Sequence, residues 1–359
     1  MALEKGKISS SQLIFLVIAE MLGVGFVIPP GATVNQDAWI AIIFALFGGL
    51  LLVLVQLSLA ARFPGKTLVR ISELVYGNFL GKLISLLYIL FFFHIASLMV
   101  IDFSNFFNIL FMISTPFIVF MILITLVAAS AVRNGIEVIA RCAQFIIPIV
   151  FISTIITGIL LAKDFNLENF QPVLEASAPK MAWIVYRTAI FSFSPLHFLM
   201  IIPFTNKQGE VKKSVIKATF ISASLLIFVA VRNIGVLGIT GSIYTYPSFQ
   251  AVRLINYGEI LTRLEILIAL NFMGSGFLQY ALTFYITTLA GAQLLNLRTY
   301  LPLVLPIGVL LTFQLHYYNI VETMEYQDVY PFIATVFHVI IPVMTLIIAS
   351  IRKLPRGES

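Results

Sequence analysis

An acidic residue and a glycine pair lie in the middle of the first apolar segment. Glu20 stands nine residues into this segment, roughly 13 Å from its start at 1.5 Å per residue. Gly23 and Gly25 weaken a helix one turn later, and Pro29-Pro30 stops it. Backbone freed by such a break can bind a substrate or an ion, although a glycine pair also permits close helix packing. Glu20 can take up a proton, face a substrate ammonium group, or stay protonated and hydrogen-bonded to the broken helix.

A second break is predicted near residue 195. Ser192 and Ser194 precede Pro195, and His197 follows it. Proline removes a backbone donor and clashes with the carbonyl one turn earlier, and nearby serine hydroxyls can satisfy the freed groups. A lone proline often only kinks a helix. Whether this break indicates a binding site therefore depends on the position of its segment in the chain.

The elements that must position these residues are membrane helices. The chain of 359 residues is 60% apolar and 11% charged, with a mean hydropathy of +1.02. An average soluble chain is about 45–50% apolar and about 25% charged. There are too few polar groups to cover a water-soluble surface, so we expect an integral membrane protein embedded in the lipid bilayer. The spans leave no room for a soluble catalytic domain, and we expect one domain, 1–359, that is not an enzyme.

Apolar runs, cut at charges and at Pro/Gly clusters, predict ten transmembrane helices. Their approximate limits are 11–32, 38–61, 83–106, 114–132, 138–161, 182–204, 214–237, 262–291, 299–317 and 330–351. The two breaks fall in the first and sixth spans, which occupy the same position in each half. Because five is odd, the halves must cross the membrane in opposite directions. The prediction is an all-α membrane protein with a 5+5 inverted repeat (about 8–162 and 180–352), broken helices one and six, and a binding site at the midplane.

Lysine and arginine positions predict the orientation. With both termini inside, sixteen of these residues fall in inner segments and only Lys163, Lys180 and Arg253 fall in outer loops. Positive charge is enriched on the cytoplasmic side of membrane proteins. We therefore expect N-in and C-in topology.

Cysteine, histidine and glycine patterns exclude several kinds of site. The single cysteine, Cys142, excludes an intrachain disulfide and a Cys-clustered zinc or iron–sulfur site. The four histidines are scattered and do not have metal-ligand spacing. Ala60 stands where a Walker A loop ending at Lys66-Thr67 would need glycine, so a nucleotide-hydrolysing pump is unsupported. We expect no metal, no cofactor and no nucleic-acid partner.

A few charges lie at the outer ends of predicted spans. They are Asp102 on the third span, and Arg187, Arg232, Arg263 and Glu265 on the sixth, seventh and eighth. Together they suggest a charged outer vestibule, in which structural pairing of carboxylates with guanidinium groups is favoured over a binding role.

The ordered motifs resemble the spore germination permease family, the B subunits of GerA-type nutrient germinant receptors, which is related to amino acid/polyamine/organocation transporters. No single motif is specific, and the resemblance depends on their order over nearly the whole chain. The motifs are Lys7-Ile8-Ser9-Ser10, Met21-Leu22-Gly23-Val24-Gly25 followed by Pro29, Phe63-Pro64-Gly65-Lys66-Thr67-Leu68, Asn169-Phe170-Gln171-Pro172-Val173-Leu174, Pro203, and Arg263-Leu264-Glu265.

The resemblance implies a LeuT-like inverted-repeat fold in which helices one, three, six and eight surround the ligand. It also implies a place in the spore inner membrane and a complex with an A subunit and a lipoprotein C subunit. The implied function is sensing of a small nutrient, usually an amino acid and sometimes a sugar or nucleoside, that triggers germination.

Nine residues are candidates for ligand binding. Those on helices one and six match the family's broken helices, and those on helices three and eight are inferred from their depth in the membrane and their spacing. They are Gly23, Val24 and Gly25 on helix one, Phe91 and Ile95 on helix three, Phe193 and Ser194 on helix six, and Gln279 and Thr283 on helix eight. This mostly apolar pocket suits a small apolar amino acid slightly better than a sugar.

Active transport is less well supported by the sequence. The fifth span has Arg141 at its inner end and Lys163 just past its outer end, with no charge between them. Glu20 is the remaining candidate for ion coupling. The alternatives to a nutrient sensor are therefore a proton-coupled amino acid permease, a ligand-gated ion channel subunit, and a scaffolding subunit.

Overall fold

The computed structural model describes residues 4, 6–26, 29–194, 196–255, 264–313 and 329–354. These residues are mainly helical. The α-helices, in chain order, are α1 (Ser10–Leu22), α2 (Ala38–Arg62), α3 (Leu68–Tyr76), α4 (Asn78–Leu110), α5 (Phe117–Arg133), α6 (Ile136–Leu160), α7 (Ala178–Ser192), α8 (Val211–Leu237), α9 (Pro247–Arg253), α10 (Glu265–Leu294), α11 (Leu301–Phe313) and α12 (Val329–Ile351).

Six of these helical segments are long and apolar enough to cross a membrane, namely those containing α2, α4, α6, α8, α10 and α12. Helices α1, α5 and α11 are apolar but shorter. This agrees with an all-α membrane protein, while the number of ten spans stays a prediction. The ninth predicted span, 299–317, is seen as α11, and its last four residues lie outside the described part of the chain.

The first helix begins at a capping box and ends at the predicted break. The Ser9 hydroxyl accepts from the Gln12 amide at 3.2 Å, and the Gln12 side chain accepts from the Ser9 amide at 2.8 Å, which satisfies orphan donors of the first turn. At Gly23 the backbone turns to φ 30° and ψ −120°, and a short 3₁₀ turn, Gly23–Phe26, follows. The first break is thus confirmed one turn after Glu20.

The sixth predicted span is also broken. Helix α7 ends at Ser192, and the chain continues as two 3₁₀ segments, Leu196–Met200 and Ile202–Phe204. Just before the first of them, Phe193 lies so close to α2 that a Cβ added to Gly49 would be 2.1 Å from the Phe193 Cβ. The missing side chain at Gly49 therefore lets the broken helix approach α2.

The start of the chain is tied to the end of this second break. The Ile8 amide donates to the Phe204 carbonyl and the Asn206 amide donates to the Ile8 carbonyl, both at 2.9 Å. Helix α1 packs against α6, α8 and α10, and α2 packs against α7 and α8. This packing brings the two interrupted segments together in the interior of the helical bundle.

Candidate functional site

The two breaks are joined by a buried pair of titratable side chains. His197, in the 3₁₀ segment that follows α7, places its Nδ1 atom 3.1 Å from the Oε1 atom of Glu20 on α1. The side chains are only 5% and 7% exposed, respectively. The second carboxylate oxygen of Glu20 and both ring nitrogens of His197 have no hydrogen-bond partner within the described part of the chain, so the 3.1 Å contact is a close approach of the two groups and not a directed hydrogen bond. Glu20, a candidate from sequence, therefore lies directly between the broken helices.

Helix α10 caps the end of α1. The Gln279 side-chain amide donates to the Glu20 carbonyl at 2.9 Å. The Ser275 hydroxyl donates to the Asn271 carbonyl of its own helix at 2.7 Å and lies 3.3 Å from the Gly23 carbonyl. The last carbonyls of a helix have no partner inside that helix, so Gln279 satisfies a group that the break leaves free. A Cβ added to Gly23 would be 2.0 Å from the Gln279 Oε1 atom. Gly23 and Gln279 are therefore in direct contact.

The other residues predicted on helices one and eight serve mainly helix packing and hydrogen bonding within their own helix. A Cβ added to Gly25 would lie 2.8 Å from Leu226 of α8, so this glycine permits close packing. Val24 lies in the same 3₁₀ turn. Thr283 is fully buried and donates to the Gln279 carbonyl of its own helix at 2.9 Å. Of the residues predicted on these two helices, Gly23 and Gln279 are therefore the two that contact each other at the break.

Ser194, just before the 3₁₀ segment Leu196–Met200, is the centre of a second polar group. Its hydroxyl is hydrogen-bonded to the Nδ1 atom of His338 on α12. The side-chain amide of Gln56 on α2 also donates to it, at 3.3 Å. His338 is buried and interacts electrostatically with His197. Through these two histidines, the Ser194 group adjoins the Glu20–His197 pair.

Two adjacent phenylalanines of α4, Phe91 and Phe92, contact different members of these two polar groups. The Phe91 ring stacks on Phe337 of α12, with centroids 4.2 Å apart, and lies edge-on to His338 at 5.4 Å. Its neighbour Phe92 is the residue that contacts His197, with ring centroids 5.0 Å apart. Ile95 is buried in the hydrophobic core, and no specific polar contact involves it. Phe91 thus faces α12 and joins the Ser194 group, whereas Phe92 faces the Glu20–His197 pair.

Phe193, in contrast, packs away from these polar groups. It is fully buried against Gly49 of α2. The sequence therefore locates the second break correctly, but the side chain of Phe193 serves helix packing here.

Sequence reasoning missed Phe92, His197 and His338 as members of the site. His197 was visible three residues after Ser194, and an ionisable residue within a membrane span is itself a pointer to function. Its partners come from α1, α4 and α12, and no local spacing links positions so distant in the chain.

The predicted outer charges are not gathered into ion pairs around Arg232. This side chain is buried, and it donates to the Thr157 hydroxyl at 3.0 Å and to the Asn233 Oδ1 atom at 3.1 and 2.9 Å. Among the described residues its hydrogen-bond partners are neutral groups of α6 and α8. Carboxylate pairing of Arg232 therefore stays a prediction.

The remaining charged residues predicted at the outer ends of the spans have different neighbours. Asp102 is half-buried beside Tyr246, which lies in the connection before α9, and burial together with the nearby Asp102 charge raises the pKa of Tyr246. Arg187 lies over the Phe191 ring at 5.9 Å, and Glu265 is half-buried at the start of α10. Arg263 lies outside the described residues.

A cavity lies beyond the first break on the predicted outer side. It is small and partly open, and it is lined by Pro29 and Asn35 after the break, by Asn233 of α8, and by Pro247 of α9, among others. Asn233 connects this cavity to Arg232 and also donates to Ser248 of α9 at 2.9 Å. Within the described residues, no cluster of His, Cys, Asp and Glu could hold a metal ion.

Comparison with known proteins then identifies the family. The family described as "Spore germination protein" matches residues 7–323. The chain belongs to the spore germination protein family. This confirms the resemblance that was drawn from the sequence motifs.

Two relatives from Bacillus subtilis (strain 168) are similar over most of the chain. Spore germination protein KB is 28% identical over 312 residues, which cover 86% of this chain and 84% of the relative. Spore germination protein YndE is 25% identical over 368 residues, which cover 98% of each chain.

Two solved structures share the fold. The first is MhsT in complex with L-phenylalanine, with a TM-score of 0.66 at 12% identity over 96% of this chain and 89% of that one. The second is Mhp1, a nucleobase-cation-symport-1 family transporter in a closed conformation with bromovinylhydantoin bound. Its TM-score is 0.65 at 11% identity, and the match covers 93% of this chain and 78% of Mhp1. The chain is thus an integral membrane protein with a LeuT-type transporter fold.

Proposed function

We propose that this chain is the nutrient-sensing membrane subunit of a spore germinant receptor, and that a small nutrient binds between the two broken helices. The observation that carries the proposal is the polar contact across the breaks. Glu20 and His197 connect them directly, and Gln279 caps the first break from α10. Membership of the spore germination protein family supports the biological role.

The capping contacts suggest how binding changes the protein. In the described conformation the Gln279 amide occupies the Glu20 carbonyl, and the Ser275 hydroxyl lies 3.3 Å from the Gly23 carbonyl. A nutrient with a polar hydrogen-bond donor, such as the ammonium group of an amino acid, replaces these contacts and frees α10 to move. A ligand shifts a conformational equilibrium only by its difference in affinity for the two states. A thousandfold difference supplies about 4 kcal/mol.

Partner subunits would detect this shift. The resemblance to B subunits suggests an A subunit and a lipoprotein C subunit as these partners, and the spore inner membrane as the location. Co-purification of all three from spores, independent of the nutrient, is the expected result. Purification of this chain without either partner would contradict this part of the proposal.

The Gly23→Ala variant tests the binding site. The added methyl group collides with Gln279, and φ +30° is strained for alanine. We expect the nutrient concentration for half-maximal germination to rise at least about tenfold, which corresponds to about 1.4 kcal/mol. The control is Gly209→Ala, because no atom lies within 4 Å of a Cβ at that position. An unchanged dose curve for Gly23→Ala, with normal receptor levels, would contradict the proposed site.

A proton-coupled amino acid permease is the second candidate, and the position of Glu20 beside His197 favours it. Reconstituted protein would then accumulate labelled amino acid when a proton gradient is imposed, and Glu20→Gln would abolish the accumulation. Binding of the nutrient without accumulation would leave sensing as the function. The channel hypothesis predicts ligand-dependent ion flux through purified oligomers.

A further inference from the structure

The Glu20–His197 pair is buried in the interior of the helical bundle. Each side chain is less than one-tenth exposed, and the two atoms that face each other are 3.1 Å apart. Transfer of a charge into such surroundings costs several kcal/mol unless another charge compensates for it. The charge of the pair as a whole therefore decides which protonation states are accessible.

One proton makes the pair neutral. The state with this proton has either a neutral carboxyl beside a neutral imidazole or a carboxylate beside an imidazolium, and both have zero net charge. Removal of the proton leaves a buried negative charge, and addition of another leaves a buried positive charge. Two titratable groups at this separation exchange protons as a unit.

We propose that Glu20 and His197 form a proton-binding site that holds one shared proton between the two broken helices. The site is built by α1 and by the 3₁₀ segment Leu196–Met200. It goes beyond the nutrient-binding proposal and does not depend on it.

The elements packed around the pair do not bring a compensating charge to it. Helix α4 contributes the Phe92 ring, with Tyr88 stacked on it at 6.1 Å. Helix α12 contributes His338, which is hydrogen-bonded to Ser194. Helix α10 contributes Gln279, which is bound to the Glu20 carbonyl.

The charges of the other neighbouring helices are engaged elsewhere. On α6, Glu137 and Arg141 form an exposed ion pair with each other at 3.4 Å. On α8, Arg232 donates to Thr157 and Asn233, and the lysines are exposed: Lys212, Lys213 and Lys217. Helix α2 contributes the neutral Gln56, which donates to Ser194. Among the described residues, the pair must therefore balance its own charge.

The free atoms of the pair give the proton a way in and out. Glu20 Oε2 and both ring nitrogens of His197 are buried without a hydrogen-bond partner among the described residues, and so is Gln56 Oε1. Buried polar atoms of this kind are usually satisfied by water or ligand. A water molecule at these atoms would connect the pair to the neighbouring group of Ser194 and His338.

The site links protonation to conformation because its two halves belong to different segments. When the broken helices separate, the carboxyl and the imidazole are no longer in contact and become hydrated, so the shared proton can leave. Coupling of this kind is reciprocal, so proton binding stabilises the conformation in which the breaks are close together.

Infrared spectroscopy of the protein in liposomes tests this inference directly. The absorption of protonated carboxyl groups is recorded while the pH is stepped, for the wild type and for Glu20→Gln. The chain has 16 Asp and Glu residues, so the signal of Glu20 is isolated as the difference between the wild type and Glu20→Gln. We expect this difference to contain a pH-dependent carboxyl band that is retained in Asp102→Asn, a matched control that removes another acid from a membrane helix. In His197→Gln we expect the midpoint of the signal to move by about one pH unit or more, as for coupled groups.

The outcomes separate proton binding from a structural role. A difference between the wild type and Glu20→Gln that contains no pH-dependent carboxyl band, or a midpoint that stays in place in His197→Gln, would overturn the proposal. If Glu20→Gln does not fold, Glu20→Asp keeps the carboxyl but withdraws it by one methylene, and its midpoint must move. An unmoved midpoint in Glu20→Asp would equally overturn it. None of these results depends on nutrient binding.

Discussion

Gln279 shows how one side chain can hold a broken helix in place. Its amide donates to the Glu20 carbonyl, and its oxygen occupies the space that a side chain at Gly23 would fill. An unpaired carbonyl inside a membrane costs several kcal/mol. Capping by α10 therefore makes the break tolerable, and any ligand at this site must offer an equivalent donor.

Arg232 shows that a buried cation can be held by neutral groups. Its guanidinium reaches the Thr157 hydroxyl on one side and the Asn233 carbonyl oxygen on the other. Arginine has five donors in a planar arrangement, whereas lysine concentrates its donors on a single nitrogen. Lysine at this position would retain the charge but could not satisfy both acceptors.

For Arg232→Lys we accordingly expect a lower stability, by about 1–3 kcal/mol for a lost buried hydrogen bond. Thermal unfolding of the purified protein in detergent measures the effect. Arg253→Lys is the matched control, because Arg253 is exposed on α9. Equal unfolding midpoints for Arg232→Lys and the wild type would show that these hydrogen bonds contribute nothing.

At the residue scale, the sequence predicts side chains whose role follows from neighbours along the chain. Gly23 was predicted because glycine weakens a helix, and Gln279 because its depth matched that of the break. His197, His338 and Phe92 were missed because their contacts connect α1, α4, α12 and the 3₁₀ segment Leu196–Met200. Phe91 and Phe92 are adjacent, and a shift of one residue on a helix turns a side chain by about 100°.

At the scale of elements, the two breaks differ in structure. The first follows from glycine at a strained backbone position, where φ is 30°. At the second, α7 ends at Ser192, and the next residue, Phe193, packs closely on Gly49 of α2. Both breaks were predicted from glycine and proline, but the packing of Gly49 was not, since it involves a contact between distant spans.

Gly48 and Gly49 provide a matched pair for testing this contact. A Cβ at Gly49 would overlap with Phe193 at 2.1 Å, whereas a Cβ at Gly48 would meet only the Ala189 methyl group at 3.3 Å. We expect Gly49→Ala to lower the free energy of unfolding by about 1–3 kcal/mol, as in other overpacked sites. Gly48→Ala should have a smaller effect in the same thermal unfolding measurement. A larger loss for Gly48→Ala would contradict the packing described for α2 and α7.

At the scale of the whole molecule, composition was the most informative property. It predicted a helical membrane protein, and the odd number of spans in each half predicted the inverted repeat. The fold is confirmed by the likeness to MhsT and Mhp1, while the number of spans and the repeat limits stay predictions. Helix ends were less predictable: α4 extends four to five residues beyond both predicted limits, because the apolar pattern has no stop signal there.

The orientation also stays a prediction. Impermeant thiol labelling of Gly209→Cys and Gly241→Cys, in a Cys142→Ser background, would test it. Label added from outside should reach the outer position 241 and spare the inner position 209. The reverse pattern would contradict the assignment from lysine and arginine.

The central claim is that a nutrient binds between the two broken helices of this chain. The most direct measurement is the thermal stabilisation of the purified chain by nutrients that germinate spores dependent on it, compared between the wild type, Gly23→Ala and Gly209→Ala. The account predicts that such a nutrient raises the unfolding temperature of the wild type and of Gly209→Ala but not of Gly23→Ala. Equal stabilisation of all three proteins, or of none, would contradict it.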